Sequence, residues 1–373
     1  MLSTRLPVAA VQTDRRAVLA GLAAGGAAAL FSRPAHADAA DSSFRQEWAA
    51  FRSRFYMPEG RIADNFQNGA SHSEGQGYAM LLAEAAGDTQ SFDQLVTWTR
   101  GNMRRPGDNL TPWRWRPGAA APVEDFNNAS DGDILIGWAL ARAGRSMGRP
   151  DYRRLASDIA RDVLRICVHR VGDQTLLRPG GWGFDRPDHV VVNPSYLLFA
   201  ALPEMNQVAP DPAWERLSHD GRALLRAARF GQWGLPPDWL RVPRGIGRAS
   251  PAVGWEPRFG FDAVRVPLNM VWAGMWDEPA VDGAAAFWSD PSVAVPPAWT
   301  NLTSGGVAPY AAPAGMRAVA RITVAARIGS TGTMTLPQVS EATDYYSAVL
   351  TMLARLAWRD AQRNRPLVVA SAG

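Results

Sequence analysis

The chain has 373 residues, 47% of them hydrophobic and 20% charged, with 34 Gly, 28 Pro and 15 Trp. That balance excludes a disordered or membrane-embedded chain and leaves a globular protein with ample core. All 39 basic residues are Arg and there is one cysteine, Cys167, so Schiff-base lysines, Lys-dependent phosphate loops, a disulfide framework and a cysteine-based metal site are excluded. Of the net charge of +4, residues 1–37 hold +3, and the remainder is too near neutral to present an electrostatic face to nucleic acid.

Residues 1–37 read as an export signal. Arg15-Arg16 precede an apolar run from Ala17 to Phe31 that is too short to span a bilayer, and Ala35-His36-Ala37 has the form of a cleavage site. The paired arginines and the Ala/Gly-rich run favour the twin-arginine route. The expected mature protein is a single domain over 38–373, periplasmic or secreted, with no membrane span.

Helical patterns dominate the rest. The apolar spacing predicts helices over 43–57, 74–86, 91–103, 130–143 and 152–168, then over 194–205, 212–230, 262–275, 316–328 and 343–361. Gly87 and Gly144 stand as stops for two of them. Val190-Val191-Val192 is the best strand, and it is short. From Asp277 to Gly315 the chain is rich in Ala, Pro, Gly and Ser, and reads as a long surface excursion of one domain. The fold class is therefore all-α, and a toroid of helix pairs fits the helix count.

Chemistry narrows by elimination. The histidines form no metal-ligating spacing, no G-x-S-x-G elbow is present, and Gly245-Ile246-Gly247 lacks the third glycine of a dinucleotide loop. Carboxylates and aromatics remain, which are the tools of glycan hydrolysis: acids move protons and flat rings stack on sugars. Three acids stand where a loop meets a helix, namely Glu74, Asp131 and Asp262. Helices running the same way round a bundle would bring them to one rim. Acids at helix starts are also favoured by capping and by the macrodipole, and Ser130-x-x-Asp133 fits a capping box. Trp113 and Trp182 lie in Gly/Pro-rich loops, a natural setting for sugar platforms, whereas Trp48, Trp98, Trp138 and Trp358 fall on helical stripes expected in the core.

At these segments the sequence resembles glycoside hydrolase family 8, and within it the endoglucanases found beside bacterial cellulose synthases. Ser73-Glu74-Gly75-Gln76-Gly77-Tyr78 is similar to the family's general-acid motif, and Ala129-Ser130-Asp131-Gly132-Asp133-Ile134-Leu135-Ile136 to the start of its signature. Asn193-Pro194-Ser195-Tyr196, Phe261-Asp262-Ala263-Val264-Arg265-Val266-Pro267 and the Asp344-Tyr345-Tyr346 helix extend the likeness. Gly137, Ala141 and Met147 depart from the signature at packing positions.

The resemblance implies an (α/α)6 barrel and an inverting, endo-acting hydrolase of β-1,4-glucan that needs no cofactor or metal. Glu74 would be the general acid, Asp262 the general base activating water, and Asp131 the carboxylate holding the distorted sugar and the water. Inversion requires the two working carboxyls roughly 6.5–9.5 Å apart. Arg265, three residues after Asp262, would share its helix face and keep that carboxylate ionised. Trp113, Trp182, Tyr196, Arg265 and Tyr345 would bind substrate. A cellulose synthase complex is the partner the resemblance suggests. The competing readings are an idle glycan-binding component of an exopolysaccharide machine and a family member acting on chitosan, xylan or mixed-linkage glucan.

Overall fold

The computed structural model describes residues 35–363 except 293–294 and 331–333, with side chains from Asp41 onward. The segment expected to direct export thus lies outside the described residues, but for the helical backbone of Ala35–Ala37. Contacts divide the chain into Met1–Ser43 and Phe44–Gly373. Eleven α-helices occur among the described residues, and those of the second unit build one closed ring.

That ring can be followed from helix to helix. Helix α1 (Ala35–Phe55) is followed by α2 (Ser73–Ala86), α3 (Thr89–Asn102), α4 (Ser130–Ser146) and α5 (Pro150–Ile166). Next come α6 (Leu202–Val208), α7 (Pro212–Ala227), α8 (Arg265–Trp272), α9 (Pro279–Trp288), α10 (Ala314–Arg327) and α11 (Tyr345–Arg363). Helix α2 packs on α4, α4 on α6, the 3₁₀ turn Pro194–Tyr196 on α8, α8 on α10 and α11, and α11 back on α2. Helices α3, α5, α7 and α9 pack outside α2, α4, α6 and α8 respectively or between them. The result is the (α/α)6 barrel, with one continuous core from Phe44 to Ala361.

Helix ends follow local chemistry. Gly87 adopts φ 74° and its N–H closes α2 on Ala83 and Glu84, as its lack of Cβ permits. Asp88 caps α3 by accepting the Ser91 N–H. Trp48, Trp98, Trp138 and Trp358 are all buried, as the helical stripes require. Cys167 is fully buried beside Asn128, and burial pushes its thiol up to about 12. Among the described residues no helix is long and apolar enough to cross a membrane.

Three expectations need correction. The helix expected over 194–205 is the 3₁₀ turn Pro194–Tyr196 and then α6; Pro203 has no N–H to continue a helix and serves instead in the first turn of α6. The stretch 277–315 is not all surface excursion, because α9 buries Val281, Ala284, Phe287 and Trp288. The chain also holds short antiparallel pairs that the sequence did not announce: β1 (Tyr56–Met57) with β2 (Arg61–Ile62), β3 (Ser71–His72) with β4 (Arg114–Trp115), and β5 (Val168–Val171) with β6 (Gln174–Leu177). The expected strand is β7 (His189–Val192), which pairs with β8 (Leu240–Pro243) and through it with β9 (Ser250–Pro251); β10 (Arg258–Phe259) pairs with β11 (Thr300–Asn301).

Candidate active site

Each of the three acids is delivered by a distinct local device. Pairing of β3 with β4 (Ser71 opposite Trp115, His72 opposite Arg114) feeds directly into α2, and the Ser73 N–H donates to the Trp113 carbonyl. Glu74 therefore stands in the first turn of α2 beside the loop that carries Trp113. Its side chain is 24% exposed and accepts from the Tyr78 hydroxyl one turn on, at 3.3 Å.

Asp131 is in the first turn of α4 and nearly inaccessible. The capping box read at Ser130 and Asp133 does not form. Ser130 Oγ donates to the Arg178 carbonyl, while Asp133 accepts from the Thr111 N–H at 2.7 Å and Asn128 Nδ2 at 2.8 Å. These three hydrogen bonds tie α4 to neighbouring loops rather than capping it. Helices α2 and α4 approach closely here, since a Cβ on Gly132 would lie 2.8 Å from the Glu74 nitrogen.

Asp262 precedes α8 rather than opening it, in a turn that follows β10. Arg265, one turn later and 4% exposed, reaches all three acids. Its Nη2 donates to Asp262 Oδ1 at 2.7 Å, and its Nη1 contacts Glu74 Oε1 and lies 3.3 Å from Asp131 Oδ2. The same nitrogen donates to the Tyr78 hydroxyl. Two carboxylates from helix starts and one from the turn before α8 thus converge on one buried guanidinium.

Burial sets the electrostatics. Removal from water pushes the Asp131 carboxyl up to about 7, against hydrogen bonds from the backbone. Asp262 is pushed up to about 7 as well, first by burial and then by the negative charge of Asp238, while Asn193 and Trp239 act in the opposite direction. The Arg265 fork sits on the same carboxylate at 2.7 Å, and the net direction for Asp262 is nonetheless upward. Acids this close around one cation titrate as a coupled set.

Tyr196 belongs to the cluster: the Arg265 guanidinium lies 5.8 Å from its ring centre, and burial first, then the charges of Asp131 and Asp262, raise its phenol. Tyr345 lies beneath the start of α2. Its ring packs on Phe51 and Phe55, and its hydroxyl lies against Gly75 with no hydrogen-bond partner among the described residues. Its neighbour Tyr346 donates to the Phe261 carbonyl next to Asp262. Trp182 is 50% exposed, its backbone held by Asn127 through the Gly181 N–H and the Trp182 carbonyl. Trp113 is half-buried, stacked on His72 and hydrogen-bonded to Asp125.

The model of the family described as "Glycosyl hydrolases family 8" matches residues 20–360. The chain belongs to that family. It is 44% identical over 335 residues to a "Probable endoglucanase" of Novacetimonas hansenii, covering 90% of this chain and 96% of that protein. It is 38% identical over 277 residues to an "Endoglucanase" of Cellulomonas uda, covering 74% and 77%. Among solved structures, "endo-beta-1,4-glucanase CMCax from Acetobacter xylinum" is similar with a TM-score of 0.80 and 42% identity, over 86% of this chain and 99% of that one. The chain is a glycoside hydrolase.

Within this family 8 rim, sequence reasoning missed Trp239 and Asp238. Trp239 stacks between Phe184 at 5.7 Å and Trp255 at 5.0 Å, and extends an aromatic surface from the Asp262 side toward solvent. The reasoning that singled out Trp113 and Trp182, a tryptophan in a Pro-rich loop, applies equally to Pro236-Pro237-Asp238-Trp239 and would have found it.

Proposed function

We propose that this family 8 hydrolase is an endo-β-1,4-glucanase that cleaves internal bonds of cellulose or soluble β-glucan with inversion. The observation that carries the reading is the convergence of Glu74, Asp131 and Asp262 on Arg265. Glu74, 24% exposed in the first turn of α2, protonates the departing glycosidic oxygen. Asp262 takes a proton from water on the opposite face of the ring, and both proton movements are complete without a metal or cofactor. Asp131, buried and held by Arg265, fixes the distorted sugar and orients that water. Tyr196 and Arg265 supply hydrogen bonds near the reacting centre, and Tyr345 supports the start of α2 from beneath. Trp182, half exposed, gives the glucan a flat surface to lie on, and Trp113, half-buried against His72, borders it from the α2 side. Export by the segment 1–37 and service beside a cellulose synthase complete the proposal; they rest on the signal pattern and on the resemblance to synthase-associated endoglucanases.

The test is viscosity loss of carboxymethylcellulose by residues 38–373, with Glu74→Gln run beside it. A fast fall with the native protein and a loss of roughly 1,000-fold or more in the variant is the expected result, since a neutral amide cannot donate the proton. An unchanged rate in the variant defeats the acid assignment, and no fall with either protein moves the reading to chitosan, xylan, mixed-linkage glucan or glycan binding without catalysis.

A further inference from the structure

Asp238 is 4% exposed, yet its two oxygens receive four donors. Oδ1 accepts the backbone N–H groups of Gly260 at 3.0 Å, Asp262 at 3.1 Å and Ala263 at 2.8 Å, and Oδ2 accepts from Arg258 Nε at 3.1 Å. The tie runs in both directions, because the Asp238 N–H donates to the Arg258 carbonyl. The cradle is closed against a side chain at its centre: a Cβ on Gly260 would lie 3.0 Å from both Asp238 Oδ2 and Arg258 Nε. A buried carboxylate that accepts three N–H groups within four residues fixes the path of the turn that carries Asp262.

We propose that Asp238 is a positioning residue for the general base: it holds the 260–263 turn in place and presents the base with a fixed negative charge. The inference rests on the reading of Asp262 as that base. Other groups face Asp262 too. Arg265 comes from α8, Asp131 from α4, Tyr196 from the 3₁₀ turn, Asn193 from the end of β7, Trp239 from the Asp238 segment and Tyr346 from α11. Of the like charges, Asp238 has the larger influence and Asp131 the smaller. Arg258, 34% exposed, offsets part of the Asp238 charge from the solvent side. A carboxylate raised toward the working pH is a stronger base than an ordinary one, which is the use of keeping a second acid beside it.

An anchor that was merely structural would change kcat and leave the pH profile in place. The experiment is therefore kcat and KM against pH on a neutral cello-oligosaccharide for the native protein, Asp238→Asn, Asp238→Ala and Asp262→Asn. Asp238→Asn keeps an oxygen for the three N–H groups and loses the charge. Its KM should stay within about twofold, and the acid limb of kcat/KM should move to lower pH by about half a unit or more. Asp238→Ala removes the acceptor as well, and its kcat should fall roughly 100-fold further as the turn relaxes. An Asp238→Asn profile that overlays the native one, with Asp262→Asn inactive, overturns the proposal. An Asp262→Asn enzyme with native rate overturns the base assignment instead. Circular dichroism checks the fold, and if Asp238→Asn does not fold, Asp238→Ser, neutral and smaller, is read in the same way.

Discussion

Arg265 is 4% exposed and meets carboxylates from the starts of α2 and α4 and from the turn before α8, so its removal leaves the buried Asp131 and the half-buried Glu74 and Asp262 without a cation. Arg265→Met should destabilise the protein by about 3–5 kcal/mol at neutral pH. The deficit should shrink as the pH falls, because protonation relieves the unpaired acids. Arg265→Lys should restore part of the stability and little of the activity, since one ammonium cannot reach three carboxylates with a planar fork. Urea unfolding at pH 5 and pH 7.5, with hydrolysis rates, checks both. A deficit independent of pH would mean that Arg265 matters through packing alone.

At the scale of elements, the rim depends on how closely α2 and α4 approach. A Cβ on Gly132 would lie 2.7 Å from Ser73 Cβ and 2.8 Å from the Glu74 nitrogen. Gly132→Ala should cost about 1–3 kcal/mol and move Glu74 away from Asp131, with activity falling more than stability. Gly101, at the end of α3 with nothing within 4 Å of such a Cβ, is the contrast; Gly101→Ala should stabilise by about 0.5 kcal/mol or more with activity unchanged. Thermal unfolding and initial rates separate the two. The helices were legible because their apolar spacing and stops, such as Gly87, are local signals. The hairpins were not, since a two-residue strand like β3 or β10 has no room for alternation and is defined by its partner across the chain. Glu74, Asp131 and Asp262 stood out at their loop–helix junctions. Asp238 did not, because its role is written in backbone N–H groups more than twenty residues away.

For the molecule as a whole, the buried acids set an unusual pH dependence. Burial pushes Asp133 up to about 8, and Asp131 and Asp262 up to about 7. In the unfolded chain such groups titrate near 3.9. Between about pH 4 and pH 8 the native state therefore holds more protons than the unfolded one, and stability falls as the pH rises, by at most about 1.4 kcal/mol per pH unit for each group. Asp88, Asp162 and Asp220 are held low by their hydrogen bonds and ion pairs, and their contribution is lost as the pH drops below the usual carboxylate range. The two trends place maximum stability on the acid side of neutrality, near pH 5. Asp133→Asn keeps one acceptor oxygen for Thr111 and Asn128 and has no proton to lose, so it should show a shallower decline toward pH 8. Urea midpoints across that range measure the slope, and an unchanged slope would rule out Asp133 as its source.

Cys167 carries a further consequence. The thiol is sealed in the core and its ionisation is driven far above neutral, so the nucleophilic thiolate is absent under ordinary conditions. With no second cysteine in the chain, no bond can form or break when the surroundings change from reducing to oxidising. The folded state then carries no thiol–disulfide switch: glutathione, reduced or oxidised, leaves its stability where pH and packing have set it.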